Sequence, residues 1–189
     1  MGWVLTFVQL KQPFCAYYFS MALKFTTSFL EDSLTLLRYY KKLAEAAIAQ
    51  VTDEQLFVIL DPEMNSIALI AKHMAGNMHS RWTDFITRDG EKPGRNRDSE
   101  FVEPPSSRGA LMIMWEAGWK CVFSALEPLS QQDMTRTVTI RGEAHSVMQA
   151  INRQCNHYSY HCGQIVFLAK HFQHSQWKSP TIPRAQSET

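Results

Sequence analysis

Four stretches of the sequence repeat apolar side chains at intervals of three and four residues, which is the spacing that lines one face of an α-helix. Phe29, Leu36 and Tyr40 belong to the first such series. Because each predicted helix carries one apolar face, the four helices are expected to pack around a common core. The sequence therefore predicts an all-α fold, a four-helix bundle, with helices over residues 23–50, 66–87, 107–126 and 146–172.

Two connections are predicted to be more than simple turns. Residues 88–107 are rich in Gly, Pro, Arg, Asp and Ser, which predicts a long crossover loop. Loops of this length in a compact domain are often functional, and this one is a candidate lid. The β-favouring residues 137–140 (TVTI) are followed by the turn-forming Arg141 and Gly142, which predicts a short hairpin before the last helix.

A chain of 189 residues is long enough for one domain with a substantial core. We expect this domain to span residues 21–174, because Met21 opens the first helical pattern. Residues 1–20 show no clear period and are predicted to be an extension, with Met21 hypothesised as the natural start. Residues 175–189 also lack periodicity and predict a flexible C-terminal tail.

The net charge, the apolar start and the cysteine spacing limit which partners and which cellular location are expected. A net charge of +1 offers no basic field for a phosphate backbone, so no nucleic-acid partner is expected. Lys11, Gln12 and Pro13 interrupt the apolar start well short of the roughly 20 residues that span a bilayer, so no membrane span is expected. The four cysteines form no C-x-x-C pair, which favours a reducing cytoplasm over a disulfide framework.

The first candidates for a functional site are His157 and His161 in the fourth predicted helix. Their spacing of four places both imidazoles on one helical face, where their ring nitrogens can converge on a metal ion. Gly163 follows, and we expect it to allow another helix to approach closely. Gln164, three residues beyond His161, is a candidate hydrogen-bond partner for a ligand or water.

A third metal ligand is offered by His73 in the second predicted helix, beside its apolar stripe. Asn77 lies one turn further on and is expected to orient the imidazole of His73. The alternative is purely structural, since histidine pairs at this spacing are common by chance and an interior histidine often only fills space. Cys162 is expected in the core, and the remaining histidines at the surface or at helix ends: His79, His145, His171 and His174.

These two segments, 73–77 (HMAGN) and 157–165 (HYSYHCGQI), resemble the histidine motifs of the DinB-like (damage-inducible) superfamily. The resemblance covers about residues 21–172. It implies a four-helix bundle in which His73, His157 and His161 hold one divalent metal ion, for which zinc or nickel suits imidazole ligands best. Some members of the superfamily are transferases or isomerases that use a thiol such as bacillithiol or mycothiol, and others have no assigned reaction.

Two functions follow as hypotheses. The first is a metal-dependent enzyme, either a transferase that joins a small thiol to an electrophile or a hydrolase, because three imidazoles leave the ion an open position. No carboxylate is placed by motif as a general base, which weakens the hydrolase version. The second is a non-enzymatic, metal-stabilised module for stress response or partner binding. Trp115 and Trp119 suit a core or a subunit interface, and a homodimer is expected.

Overall fold

The structure, a computed structural model, describes residues 23–181. Within that range the chain is mostly helical, as predicted, and the predicted hairpin is present before the last helix. None of the described helices is long and apolar enough to cross a membrane. The predicted extension over residues 1–20 lies outside the described residues. The elements are α1 (Phe29–Ile48), α2 (Ile67–Trp82), α3 (Arg108–Leu126), β1 (Thr137–Ile140), β2 (Glu143–Ser146) and α4 (Val147–Gln173).

A serine stands directly before each of these four helices. In every case its hydroxyl accepts a hydrogen bond from the backbone N–H three residues later, which satisfies one of the free donors of the first turn. Ser146 and Gln149 complete the predicted capping box at α4 through a reciprocal bond. The caps fix where each helix begins and are Ser28, Ser66, Ser107 and Ser146.

The second helix is shorter than predicted, ending at Trp82 rather than near residue 87. Thr83 adopts an extended conformation, and Asp84 has a positive φ of 50°. Because a left-handed residue cannot continue a right-handed helix, the chain turns away at this point. Phe85 nonetheless stays buried in the core, so the apolar pattern continued past the end of the helix.

The core lies where α2 packs against α3 and where α1 packs against α4, with further contacts between α2 and α4. Trp115 and Trp119 are fully buried there, with their rings edge to face. The sequence predicted either a core or a subunit interface for these tryptophans, and the structure places both in the core. They are therefore not available as a subunit surface in this arrangement, and the homodimer remains a prediction.

The close approach of α2 and α3 depends on Gly118. A Cβ atom at this position would lie 3.0 Å from the Cα atom of Ala75. We expect Gly118→Ala to lower the free energy of unfolding by about 1–3 kcal/mol, because the helices must separate. Gly163→Ala, on the open face of α4, is expected to raise it by about 0.5–1 kcal/mol, because glycine is a poor helix former. Urea denaturation of both variants measures the two effects, and equal shifts would contradict the packing role of Gly118.

The hairpin is joined by a two-residue turn at Arg141 and Gly142, whose φ angles of 56° and 76° are those of a tight hairpin turn. Its strands pair antiparallel, from Thr137 opposite Ser146 to Ile140 opposite Glu143. The backbone N–H groups of Arg141 and Gly142 donate to the carboxylate of Asp89 at 2.9 and 2.7 Å. The hairpin is thus fastened to the beginning of the loop that follows α2.

The segment after α4 contacts the end of α1. Trp177 is partly buried against the core. The backbone N–H of Lys178 donates to Gln50 Oε1, and Gln50 Nε2 donates back to the carbonyl of Lys178, both at 2.9 Å. Residues 182–189 of the predicted tail lie outside the described part of the chain.

Candidate metal centre

Three imidazoles converge between α2 and α4. His157 Nε2 lies 3.2 Å from His73 Nε2 and 3.1 Å from His161 Nε2. The candidate ligand atoms of the three residues all lie within 4.8 Å of one another. Ligand nitrogens about 2.0–2.1 Å from a tetrahedral zinc ion are separated by roughly 3.3 Å. The donor set therefore fits one divalent ion held by the three histidines that the sequence singled out.

The protonation of these rings also suits metal binding. Burial, followed by the neighbouring His161 and His73, lowers the pKa of His157 to about 3. Burial likewise lowers the pKa of His161, although its hydrogen bond with Gln164 opposes the shift. At neutral pH both rings are uncharged, which is the form that offers a nitrogen lone pair to a metal.

The outer ring nitrogens of two histidines bind side-chain oxygens. His73 Nδ1 lies 2.8 Å from Glu100 Oε2, and His161 Nδ1 lies 2.7 Å from Gln164 Oε1. Because both partner atoms are acceptors, each Nδ1 carries the proton and each Nε2 presents its lone pair to the centre. Gln164 thus contacts His161 itself, the histidine one turn before it.

Glu100 is a member of this site that sequence reasoning missed. Its carboxylate is 6% exposed and receives two hydrogen bonds from Arg95, from Nε at 2.8 Å and Nη2 at 2.9 Å. Burial alone would raise the pKa of Glu100, but the hydrogen bonds from His73 and Arg95 outweigh it and lower the pKa. The carboxylate behind His73 is therefore ionised at neutral pH.

The loop predicted as a candidate lid lies against α2 at this point. A short 3-10 helix over Asp98–Phe101 carries Glu100, and the ring of Phe101 stacks on His73 with centroids 4.5 Å apart. The ammonium group of Lys72 donates to three carbonyls of the segment, those of Ser99, Val102 and Glu103. One signal in the sequence was available, because Phe101 and Val102 form an apolar pair in an otherwise polar loop.

The role predicted for Asn77 is wrong. Its Oδ1 accepts a hydrogen bond from the Tyr158 hydroxyl at 3.1 Å, and that hydroxyl accepts one from Trp82 Nε1 at 2.9 Å. Glu100, not Asn77, orients His73, because the loop delivers a carboxylate to the Nδ1 side of the ring. Asn77 instead helps to join α2 to α4 through a buried hydrogen-bonded chain.

The predicted role of Gly163 is also wrong, since no other helix within residues 23–181 places an atom within 4 Å of a Cβ built there. The glycine that makes room at this site is Gly76, where a Cβ atom would lie 2.6 Å from Glu100 Oε1. Gly76 therefore gives the carboxylate its place beside His73.

We expect Gly76→Ala to displace the carboxylate of Glu100 and to weaken metal binding by about 10–100-fold, because an outer partner of a ligand histidine is lost. Competition with a chromogenic chelator measures the affinity. Gly163→Ala is the matched control on the other helix and should leave the affinity unchanged. Equal affinities for the two variants would show that Glu100 does not support the site.

A cavity of about 410 Å³ opens beside the histidines. His73 and His157 form part of its wall, so a small molecule in the cavity would lie next to the candidate ion. The rest of the wall is strongly basic, because five arginines contribute to it: Arg81, Arg95, Arg97, Arg141 and Arg153.

The cysteines are not part of this centre in the described range. Cys162 is fully buried, as predicted, and burial raises the pKa of its thiol to about 12. Burial raises that of Cys155 to about 11. Cys121 lies away from the three histidines, with its sulfur 3.6 Å from Nδ1 of His79. The buried thiols stay protonated and act as packing groups.

Comparison with known proteins gives a family without an activity. The model of a family described as "Protein of unknown function (DUF1572)" matches residues 24–186. This span contains all three histidines and the whole loop that carries Glu100. No curated protein matches the chain with significant similarity.

Proposed function

The chain belongs to the DUF1572 family, and because the description of that family assigns no activity, we propose from the site itself that the protein is a metal-dependent enzyme. The proposal takes the fold as a DinB-like four-helix bundle with zinc or nickel as its ion. One observation carries it: three Nε2 atoms converge, with neighbouring atoms 3.1 and 3.2 Å apart.

The surroundings of the histidines favour a catalytic over a structural role. Structural zinc sites are closed by four protein ligands, whereas catalytic sites hold the ion through three. Here three imidazoles converge and two of them border a cavity. A divalent ion bound by three neutral imidazoles would lower the pKa of a thiol or water in its open position and so provide a nucleophile at neutral pH.

Transfer of a small thiol to an electrophile is the reaction we favour. Among the described residues no carboxylate lines the cavity, and Glu100 is already engaged by His73 and Arg95. A hydrolase would benefit from a free general base beside the attacking water, and the cavity offers none. Thiol transfer needs only a deprotonated thiol and an electrophile held beside it, so hydrolysis is the second choice.

The alternative function is a metal-stabilised module that binds a partner and catalyses nothing. In that case the ion would only join α2 to α4. We propose a reducing, cytoplasmic location for either function. Cys121, Cys155 and Cys162 support it, because none of them forms a disulfide within residues 23–181.

The two functions differ in whether the ion accepts an outside ligand. We would load the protein with Co²⁺ and add 2-mercaptoethanol while recording the absorption spectrum. An enzyme of the proposed kind should develop a cobalt–thiolate band in the near ultraviolet, and the His157→Ala, His161→Ala double variant treated identically should not. A bound cobalt ion whose spectrum ignores the thiol would mark a closed site and favour the non-enzymatic alternative.

A further inference from the structure

The cavity beside the three histidines carries an excess of positive charge. Five arginines line it, and the carboxylates that pair with them are those of Glu91 and Glu100. Glu100 is occupied by Arg95, while Glu91 is shared among Arg81, Arg95 and Arg141. Within the described part of the chain, the arginine charge of the wall thus exceeds that of its paired carboxylates by three, before any metal ion is added.

Arg81 is the deepest of the five. It is only 2% exposed, and its Nε and Nη1 atoms are buried without a hydrogen-bond partner among the residues that the structure describes. The contact of its Nη2 with Glu91 is long, at 3.5 Å. The chain makes space for this guanidinium with Gly90, where a Cβ atom would lie 2.8 Å from Nη1. A buried cation with so little compensation is costly unless an anion joins it.

A second buried polar side chain lies in the wall of the same cavity. Gln154 is 2% exposed and borders the same cavity, and its Oε1 has no partner within residues 23–181. Polar groups buried in this way are rare and generally have a ligand or water as their missing partner. Arg81 and Gln154 thus leave three buried polar atoms without a partner in the described chain, and two of these atoms belong to a cation that borders the cavity.

The exposed edge of the cavity, its rim, is also positively charged. Arg97 and Arg153 are exposed, and neither forms an ion pair with any residue the structure describes. The guanidinium of Arg97 lies over the ring of Phe101, 5.1 Å from its centroid, and Phe101 in turn stacks on His73. This stacking holds Arg97 at the cavity mouth beside the candidate metal ligands.

We propose that this arginine cavity binds the carboxylate or phosphate group of a small anionic molecule and thereby holds the rest of that molecule against the three histidines. Guanidinium groups bind both oxyanions with paired, charge-assisted hydrogen bonds. A volume of about 410 Å³ is within the usual range for small-molecule sites. The inference names the substrate class of the proposed enzyme and rests on that proposed function.

Calorimetric titration of the zinc-loaded protein tests the inference with three probes: succinate, inorganic phosphate and the neutral analogue succinamide. We expect succinate or phosphate to bind and succinamide not to bind, and the tighter of the two anions identifies the preferred group. The Arg97→Gln, Arg153→Gln double variant and Arg81→Met should each weaken anion binding at least tenfold. Arg136→Gln removes an arginine that is paired with Asp133 and does not line the cavity, so it should bind as the native chain does.

Several outcomes would overturn the inference: no binding of either anion, equal binding of succinamide, or anion binding unchanged in both arginine variants. The last would mean that the anion binds the zinc ion alone. The rim variant keeps the test decisive if Arg81→Met fails to fold. Metal content measured in the same samples separates the two proposals. Zinc without anion binding refutes only the arginine site, whereas anion binding by a chain that takes up no zinc refutes only the metal enzyme.

Discussion

The His157→Ala, His161→Ala double variant is expected to contain no bound metal, whereas the native chain purified without an affinity tag should contain about one equivalent of zinc or nickel. The double variant leaves His73 as the only imidazole of the three. A single neutral ligand cannot hold a divalent ion against water, so the loss should be complete. Elemental analysis of both proteins, before and after added zinc, measures it.

His145→Ala is the matched control for this experiment. His145 lies half-buried on β2, and its Nδ1 contacts the carbonyl of Glu143 rather than any of the three site histidines. Its removal should leave the metal content at that of the native chain. If native protein remains free of metal after zinc and nickel are added, the three histidines are structural and the proposed enzyme is refuted.

Glu100→Ala is expected to lower the free energy of unfolding by about 3 kcal/mol, because Arg95 loses its bidentate partner and keeps only its longer contact with Glu91. The Arg95→Met variant should lower the free energy of unfolding by a similar amount, because the buried carboxylate of Glu100 then loses its guanidinium partner. The Glu100→Ala, Arg95→Met double variant should lose much less than the sum of the two. Urea denaturation of the metal-free proteins measures all three values.

An exposed ion pair provides the comparison for this cycle. Arg38 and Glu127 are about half exposed and lie 2.7 Å apart. Glu127→Ala should therefore cost less than about 1 kcal/mol, because solvent already screens the pair. If Glu100→Ala costs no more than Glu127→Ala, the carboxylate behind His73 does not hold the loop against α2.

The parts of this protein that could be predicted from the sequence are those whose cause is local. A four-residue spacing places His157 and His161 on one helical face in any α-helix, and Ser146 with Gln149 marks a helix start by its own hydrogen bonds. The hairpin is likewise determined by residues that are neighbours in the sequence, the strand-forming residues 137–140 and the turn at Arg141 and Gly142. These elements lie close to the positions that the sequence predicts for them.

The parts that were missed depend on contacts between distant segments. Glu100 meets His73 across 27 positions of the chain, and no periodicity in a loop announces such a contact. The sequence predicts a contact between Asn77 and His73, which lie one helical turn apart. In the structure Asn77 instead accepts a hydrogen bond from Tyr158 of α4. Spacing along one helix identifies which side chains share a face, but not which side chain from another segment arrives there.

The loop that lies against α2 has a consequence for how fast a ligand can arrive. Lys72, Glu100 and Phe101 hold this segment against α2, so a ligand entering through it would first have to break these contacts. The mouth between Arg97 and Arg153 needs no such rearrangement. Unpaired charges at an entrance draw oppositely charged molecules from solution, and added salt screens that attraction. The association rate of an anion should accordingly fall with ionic strength, while that of a neutral molecule should not.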